Sequence, residues 1–193
     1  MSEAAYSYSE DREDYEIING QVYKMFRSVP HNLIQGNILT AFKNCLKGKP
    51  CRSFGKVDVF LDDNNNVVPD FSIVCNPDII KERGIYGVPD LIVEVLSPFT
   101  AQRDKLIKRE IYERFSVKEY WIVDPSSKSI EVYMLKDGNL RLDGFYMVYP
   151  DYAWRMLTDE EKAEVCINIK VSLYDDLYVK LEDIFYDVFE DIK

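Results

Sequence analysis

Histidine is all but missing from this chain of 193 residues, with His31 the single example. A lone imidazole gives a Ser-His-Asp or Cys-His triad little to work with. Cysteine is scarce too. Cys45, Cys51, Cys75 and Cys166 form no CxxC pair, so a Cys/His zinc site is not expected. In a chain rich in core residues these cysteines are expected as reduced, partly buried thiols of a cytoplasmic protein, without a disulfide framework. Only eight glycines occur, and none falls in a phosphate-cradling loop. There is no secretory signal and no apolar run of ~18 residues, so no segment is expected to enter a membrane. The chemistry left is that of carboxylates, lysines and a hard metal ion.

Hydrophobic residues make up 47% of the chain and aromatics 13%, enough for a sizeable core. The length suits one domain. Residues 1–13 read as an acidic flexible tail, and 14–193 as a single domain. The net charge is −10. Phosphate binding wants an excess of Lys and Arg, so this charge argues at first against a nucleic-acid partner. The acids are unevenly placed, however. Residues 1–20 carry a net of −5 and residues 151–193 a net of −7, which leaves 21–150 at +2.

The pattern along the chain predicts a mixed α/β domain, a central mixed sheet flanked by helices. Asn19-Gly20 between Tyr15–Ile18 and Gln21–Met25 signals a hairpin with a type I′ turn. From Pro30, apolar residues at Leu33, Ile34, Ile38, Leu39, Phe42 and Leu46 follow helical spacing. Val57–Leu61 alternates like a strand, and Val67–Val74 reads as another, interrupted by Pro69. Leu91–Leu96 is apolar on both faces, as in a buried central strand. Thr100 to Phe115 reads as a helix, and Glu119–Asp124 with Ser129–Leu135 as a strand pair. Thr158 and Glu161 fit a capping box. Val165–Leu173 reads as a strand and Leu181–Phe189 as a terminal helix or turn.

Glu94 is the outstanding anomaly, a carboxylate inside an otherwise aliphatic strand. Burying it unpaired costs several kcal/mol, so either a cation pairs with it or it faces a cleft. Asp70 follows Pro69, where a strand without its ladder N–H can re-aim a side chain. The plainer reading of Pro-Asp is a bend. Adjacent strands lie about 4.8 Å apart, so Asp70 and Glu94 can share one ion; Asp90, about 13 Å from Glu94 along its strand, cannot. Asp104, Lys108 and Tyr112 recur at i, i+4 and i+8 along one helix face, either beside this pair or as an ordinary surface ion pair.

Together these residues resemble the Uma-type family within the PD-(D/E)XK nuclease superfamily. The resemblance rests on Val68-Pro69-Asp70, on Gly87 to Pro98 around Glu94, and on Asp104, Lys108 and Tyr112. Val117 to Pro125, the Tyr15–Gly20 segment, His31 and Leu181–Phe185 also fit it. It implies a restriction-endonuclease-like fold and a metal-dependent endonuclease acting on phosphodiester bonds, most naturally of DNA. Asp70, Glu94 and Lys108 would be catalytic. Asp70, Glu94 and the Val95 carbonyl would hold Mg²⁺ or Mn²⁺, with His31, Asp104 and Tyr112 in support. A homodimer would suit cutting two strands. The chain departs from the superfamily pattern at Leu96, where the usual lysine stands, and Lys108 on the helix replaces it. The first helix supplies no acid; it offers His31 and Gln35, with Glu16 as a substitute. The alternative function is a catalytically inactive scaffold of the same fold, binding a protein or nucleic acid. A third, antitoxin-like reading has the acidic ends mimic DNA.

Overall fold

The computed structural model describes residues 15–25 and 28–188; the expected acidic tail lies outside them. In chain order the strands are β1 (Tyr15–Ile18), β2 (Gln21–Lys24), β3 (Arg52–Phe54), β4 (Val59–Asp62), β5 (Asn65–Val67), β6 (Phe71–Val74), β7 (Ile80–Lys81), β8 (Gly84–Tyr86), β9 (Leu91–Val95), β10 (Glu119–Asp124), β11 (Ser129–Lys136), β12 (Asn139–Met147), β13 (Asn168–Lys170) and β14 (Tyr178–Lys180). The helices are α1 (Val29–Cys45), α2 (Arg109–Arg114), α3 (Asp151–Met156), α4 (Asp159–Glu164) and α5 (Leu181–Ile184), and a π-helical stretch, Arg103–Lys108, leads into α2.

The fold class is mixed α/β, as expected, but the strands form two six-stranded sheets. One has the order β2-β1-β5-β4-β8-β7 and the other β12-β11-β10-β9-β6-β3, with β13 and β14 forming a small separate pair. In the second sheet β9 and β10 run parallel. A parallel pair needs a long crossover, which the helix of residues 101–114 supplies.

Local signals in the sequence account for many boundaries. Asn19 and Gly20 adopt φ of 51° and 76°, as a type I′ turn requires. Ser28 caps α1, its hydroxyl accepting from the His31 N–H at 3.3 Å, and Pro30 occupies the first turn. Thr158 and Glu161 form a complete capping box on α4. Val67–Val74, read as one interrupted strand, is two strands in different sheets. Pro69 cannot donate to a ladder, and the Val68 N–H turns to the Glu16 carboxylate at 3.4 Å. The chain changes sheet there and leaves Asp70 at the crossing.

The second sheet is covered on both faces. On one, Ile34, Ile38 and Phe42 of α1 pack against Phe71, Leu91, Val93 and Trp121. On the other, Ile111 and Tyr112 of α2 meet Ile92, Tyr120 and Ile122, and the first sheet adds Ile18, Val59, Val67 and Ile85. Glu94 points to this second face, between Ile92 and Leu96.

The expectation of four free thiols needs correction. Cys51 and Cys75 form a disulfide, because the β3–β6 register that pairs Arg52 with Val74 sets them opposite each other at the next position. Cys45 and Cys166 are free. The bond closes a loop with a sequence separation of 24. Cys51→Ser is therefore expected to cost about 3 kcal/mol in urea melts under oxidising conditions and nothing in excess reductant. Equal stability of wild type and variant in both would contradict the pairing.

Candidate active site

Continuing the β6–β9 register, in which Phe71 pairs with Val93, sets Asp70 opposite Glu94. Directly opposed residues share a sheet face, so both carboxyl groups enter one pocket. That pocket lies where the two sheets meet. It is lined by Glu16, His31, Lys56, Asp70, Val95, Arg103 and others, and its cavity volume of about 20 Å³ holds roughly one ion or water.

Asp70 is fixed from three sides. His31 Nε2 lies 2.8 Å from Oδ1, Lys56 Nζ lies 3.2 Å from the same oxygen, and the Val95 N–H donates to Oδ2 at 2.8 Å. Gln35, one turn beyond His31 on α1, donates to the Asp70 carbonyl at 2.8 Å. Burial works to raise the Asp70 pKa, but the hydrogen bond and charge of His31, with Lys56 and the Val95 N–H, outweigh it and hold the carboxyl below its usual range.

Glu94 stands in a different field. Its Oε1 accepts from Lys108 Nζ at 2.9 Å and from the Tyr112 hydroxyl at 2.7 Å. Burial nevertheless pushes its pKa up to about 8; Lys108 pulls it down, while Asp104, Asp70 and Glu16 add to the rise. Lys108 also lies 2.9 Å from Glu16 Oε2 and 3.8 Å from Asp104 Oδ1. Burial disfavours its ammonium, but Glu16, Glu94 and Asp104 together raise its pKa above the ordinary lysine value. Asp104 is itself raised, chiefly by burial.

The structure thus brings together the sequence-predicted Asp70, Glu94, Val95, Lys108, His31, Asp104 and Tyr112, with Glu16, the substitute acid read from the sequence, fully buried beside them. Asp90 stays apart: it accepts from Lys118 and from the Cys75 N–H. Sequence reasoning missed Lys56 and Arg103. Lys56 sits on a loop beside Gly55, where no periodicity assigns a face. Arg103 Nε lies 3.2 Å from Glu16 Oε1, brought there by the π-helical stretch.

Four buried carboxyl groups (Glu16, Asp70, Glu94 and Asp104) meet three fixed cations (Lys56, Arg103 and Lys108) and His31. Glu16 Oε1, Asp104 Oδ1 and His31 Nδ1 are buried without a hydrogen-bond partner. The two unpartnered carboxyl oxygens leave acceptor capacity in the pocket for a further donor or ion. Among the described residues no three His, Cys, Asp or Glu side chains stand in metal-ligating geometry. Two carboxylates and a backbone carbonyl are nonetheless a sufficient donor set for an ion that keeps several of its waters, as Mg²⁺ does.

The sequence pattern of Uma2, a family described as "Putative restriction endonuclease", matches residues 3–162. The chain belongs to the Uma2 family. It is also 33% identical, over 131 residues, to the uncharacterised protein slr1290 of Synechocystis sp., covering 65% of this chain and 68% of that one. Its fold resembles the crystal structure of a putative nuclease belonging to DUF820 from Anabaena variabilis ATCC 29413. The TM-score is 0.62, over 90% of each chain, at 18% identity, a level at which the likeness bears on the fold alone. Membership in Uma2 agrees with the resemblance read from Asp70, Glu94 and Lys108. Among the described residues no helix is long and apolar enough to cross a membrane.

Proposed function

We propose that this Uma2 protein is a metal-dependent endonuclease that hydrolyses phosphodiester bonds in DNA. The observation that carries the reading is the convergence of Asp70, Glu94 and Lys108 in one small polar pocket at the junction of the two sheets. Asp70, Glu94 and the Val95 carbonyl would hold Mg²⁺ or Mn²⁺ through hard oxygen donors. When bound, the ion supplies Lewis-acid polarisation of the phosphate and a lowered pKa for a coordinated water. The chain's own residues do the remainder. Lys108 offers an ammonium to the attacking water or to charge developing on the phosphate. Tyr112 and Lys108 fix the rotamer of Glu94, and His31 and Gln35 fix Asp70 and its backbone. A two-fold dimer would present one such pocket to each strand.

The purified full chain is expected to nick or cut duplex DNA with Mg²⁺ or Mn²⁺ and to leave it intact with EDTA. The weakly basic centre of the chain implies modest non-specific affinity that falls with salt. A second reading, an inactive scaffold of the same fold, is favoured by one observation: Asp70 and Glu94 are each already paired with cationic side chains of the protein. Calorimetry with Mn²⁺ separates the two. Heat of binding that is lost in an Asp70→Asn variant supports the nuclease, and no heat with the wild type supports the scaffold.

A further inference from the structure

The helix that follows β9 is irregular where it passes the pocket. Residues 101–102 and 109–114 are α-helical, and Arg103–Lys108 between them is π-helical. In an α-helix, positions five apart point about 140° away from one another. A turn closed by i→i+5 hydrogen bonds brings them onto one face. Arg103 and Lys108 are five apart, and both reach Glu16: Arg103 Nε lies 3.2 Å from Oε1 and Lys108 Nζ 2.9 Å from Oε2. Such turns are rare in helices and recur at functional sites.

Arg103 shares the neutralisation of Glu16 with Lys108, which also faces Glu94 and Asp104. Yet the arginine is not well satisfied there. Its Nε, Glu16 Oε1 and Asp104 Oδ1 are all buried without a hydrogen bond, although Nε lies within 3.2 and 3.8 Å of those oxygens. The guanidinium is braced from outside the pocket by donation from Nη1 to the Lys24 carbonyl at 3.2 Å and by the Tyr23 ring, its centroid 5.5 Å away. The Arg103 side chain is 12% exposed against 3% for Lys108. Of the two cations on Glu16, Arg103 is therefore the more exposed.

We propose that Arg103 grips a backbone phosphate of the nucleic-acid strand at the mouth of the pocket, next to the group served by Lys108. The planar fork of a guanidinium matches two phosphate oxygens at once, which an ammonium cannot do. The assignment rests on the nuclease reading and adds the residue that seats the strand.

The test is binding of a short duplex DNA to the full chain by fluorescence anisotropy across a salt series, with EDTA present to prevent cutting. Arg103→Gln is expected to bind about ten-fold more weakly or worse, and the slope of log K against log salt should flatten by about one. Arg103→Lys keeps the charge and is expected to keep the slope while losing several-fold in affinity; it also serves if Arg103→Gln does not fold. A purely structural role lowers the folded fraction without altering the slope. Wild-type affinity and slope in both variants, with a wild type that binds, would overturn Arg103 alone. A wild type that neither binds duplex DNA nor cuts it with Mn²⁺ would overturn the nuclease reading and Arg103 with it.

Discussion

Lys108→Ala is expected to abolish metal-dependent cleavage and to destabilise the protein by about 3–5 kcal/mol. Lys108 is 2% exposed and is the cation shared by two buried acids, at 2.9 Å from Glu16 Oε2 and 2.9 Å from Glu94 Oε1. Removing one partner of a buried pair costs far more than the pair's net contribution, since the remaining charge stays desolvated. Glu94 can take up a proton, as its raised pKa already favours, but Glu16 would then depend on Arg103 alone. Urea denaturation gives the stability, and cleavage is measured at a temperature where the variant remains folded. Lys108→Arg separates the two roles: it keeps a charge between the acids, so stability should recover more than activity. Wild-type cleavage by folded Lys108→Ala would remove Lys108 from the mechanism.

The same charge arrangement explains which parts of the site were legible from the sequence. Glu94 was visible because a carboxylate inside Leu-Ile-Val-Glu-Val-Leu violates the pattern of a buried strand, and such violations mark sites. Asp70 was visible through Pro69, which ends β-ladder donation where the chain passes between sheets. Lys108 and Tyr112 were visible through helical spacing, since positions four apart share a face in an α-helix and nearly so in a π turn. Arg103 was not, because helical spacing assigns it to another face and nothing in Arg103-Asp104-Lys105 announces the π turn. Lys56 reaches Asp70 from a loop, and the pairing of Cys51 with Cys75 depends on a cross-strand register that cysteine spacing does not reveal. One central sheet became two for a related reason. Strands as short as β3, β7 and β8, with two or three residues each, carry no alternation to read. Yet β8 joins β4 to β7 and is essential to the first sheet.

Glu94→Gln should lower cleavage by about 10²–10³ or more while leaving the fold intact, and it should also change how stability depends on pH. Glutamine keeps the size of the side chain and an oxygen that can accept from Tyr112 and Lys108, and it carries no charge to desolvate. It thus mimics the protonated form that burial already favours. The sign of the pH effect follows from the shift. Burial pushes the folded pKa up to about 8 from the 4.5 of a free glutamate, so the folded chain holds a proton that the unfolded chain releases. The stability contributed by this group is fully present below about 4.5, declines as pH rises, and is gone once pH passes through about 8. Wild type should accordingly lose stability across that window, and Glu94→Gln, with no proton to release, should lose less. Urea melts of both proteins at several pH values read the difference directly. Parallel stability curves would mean that Glu94 is ionised in the fold, firmly paired with Lys108. Undiminished cleavage by the variant would remove Glu94 from the donors proposed for the ion.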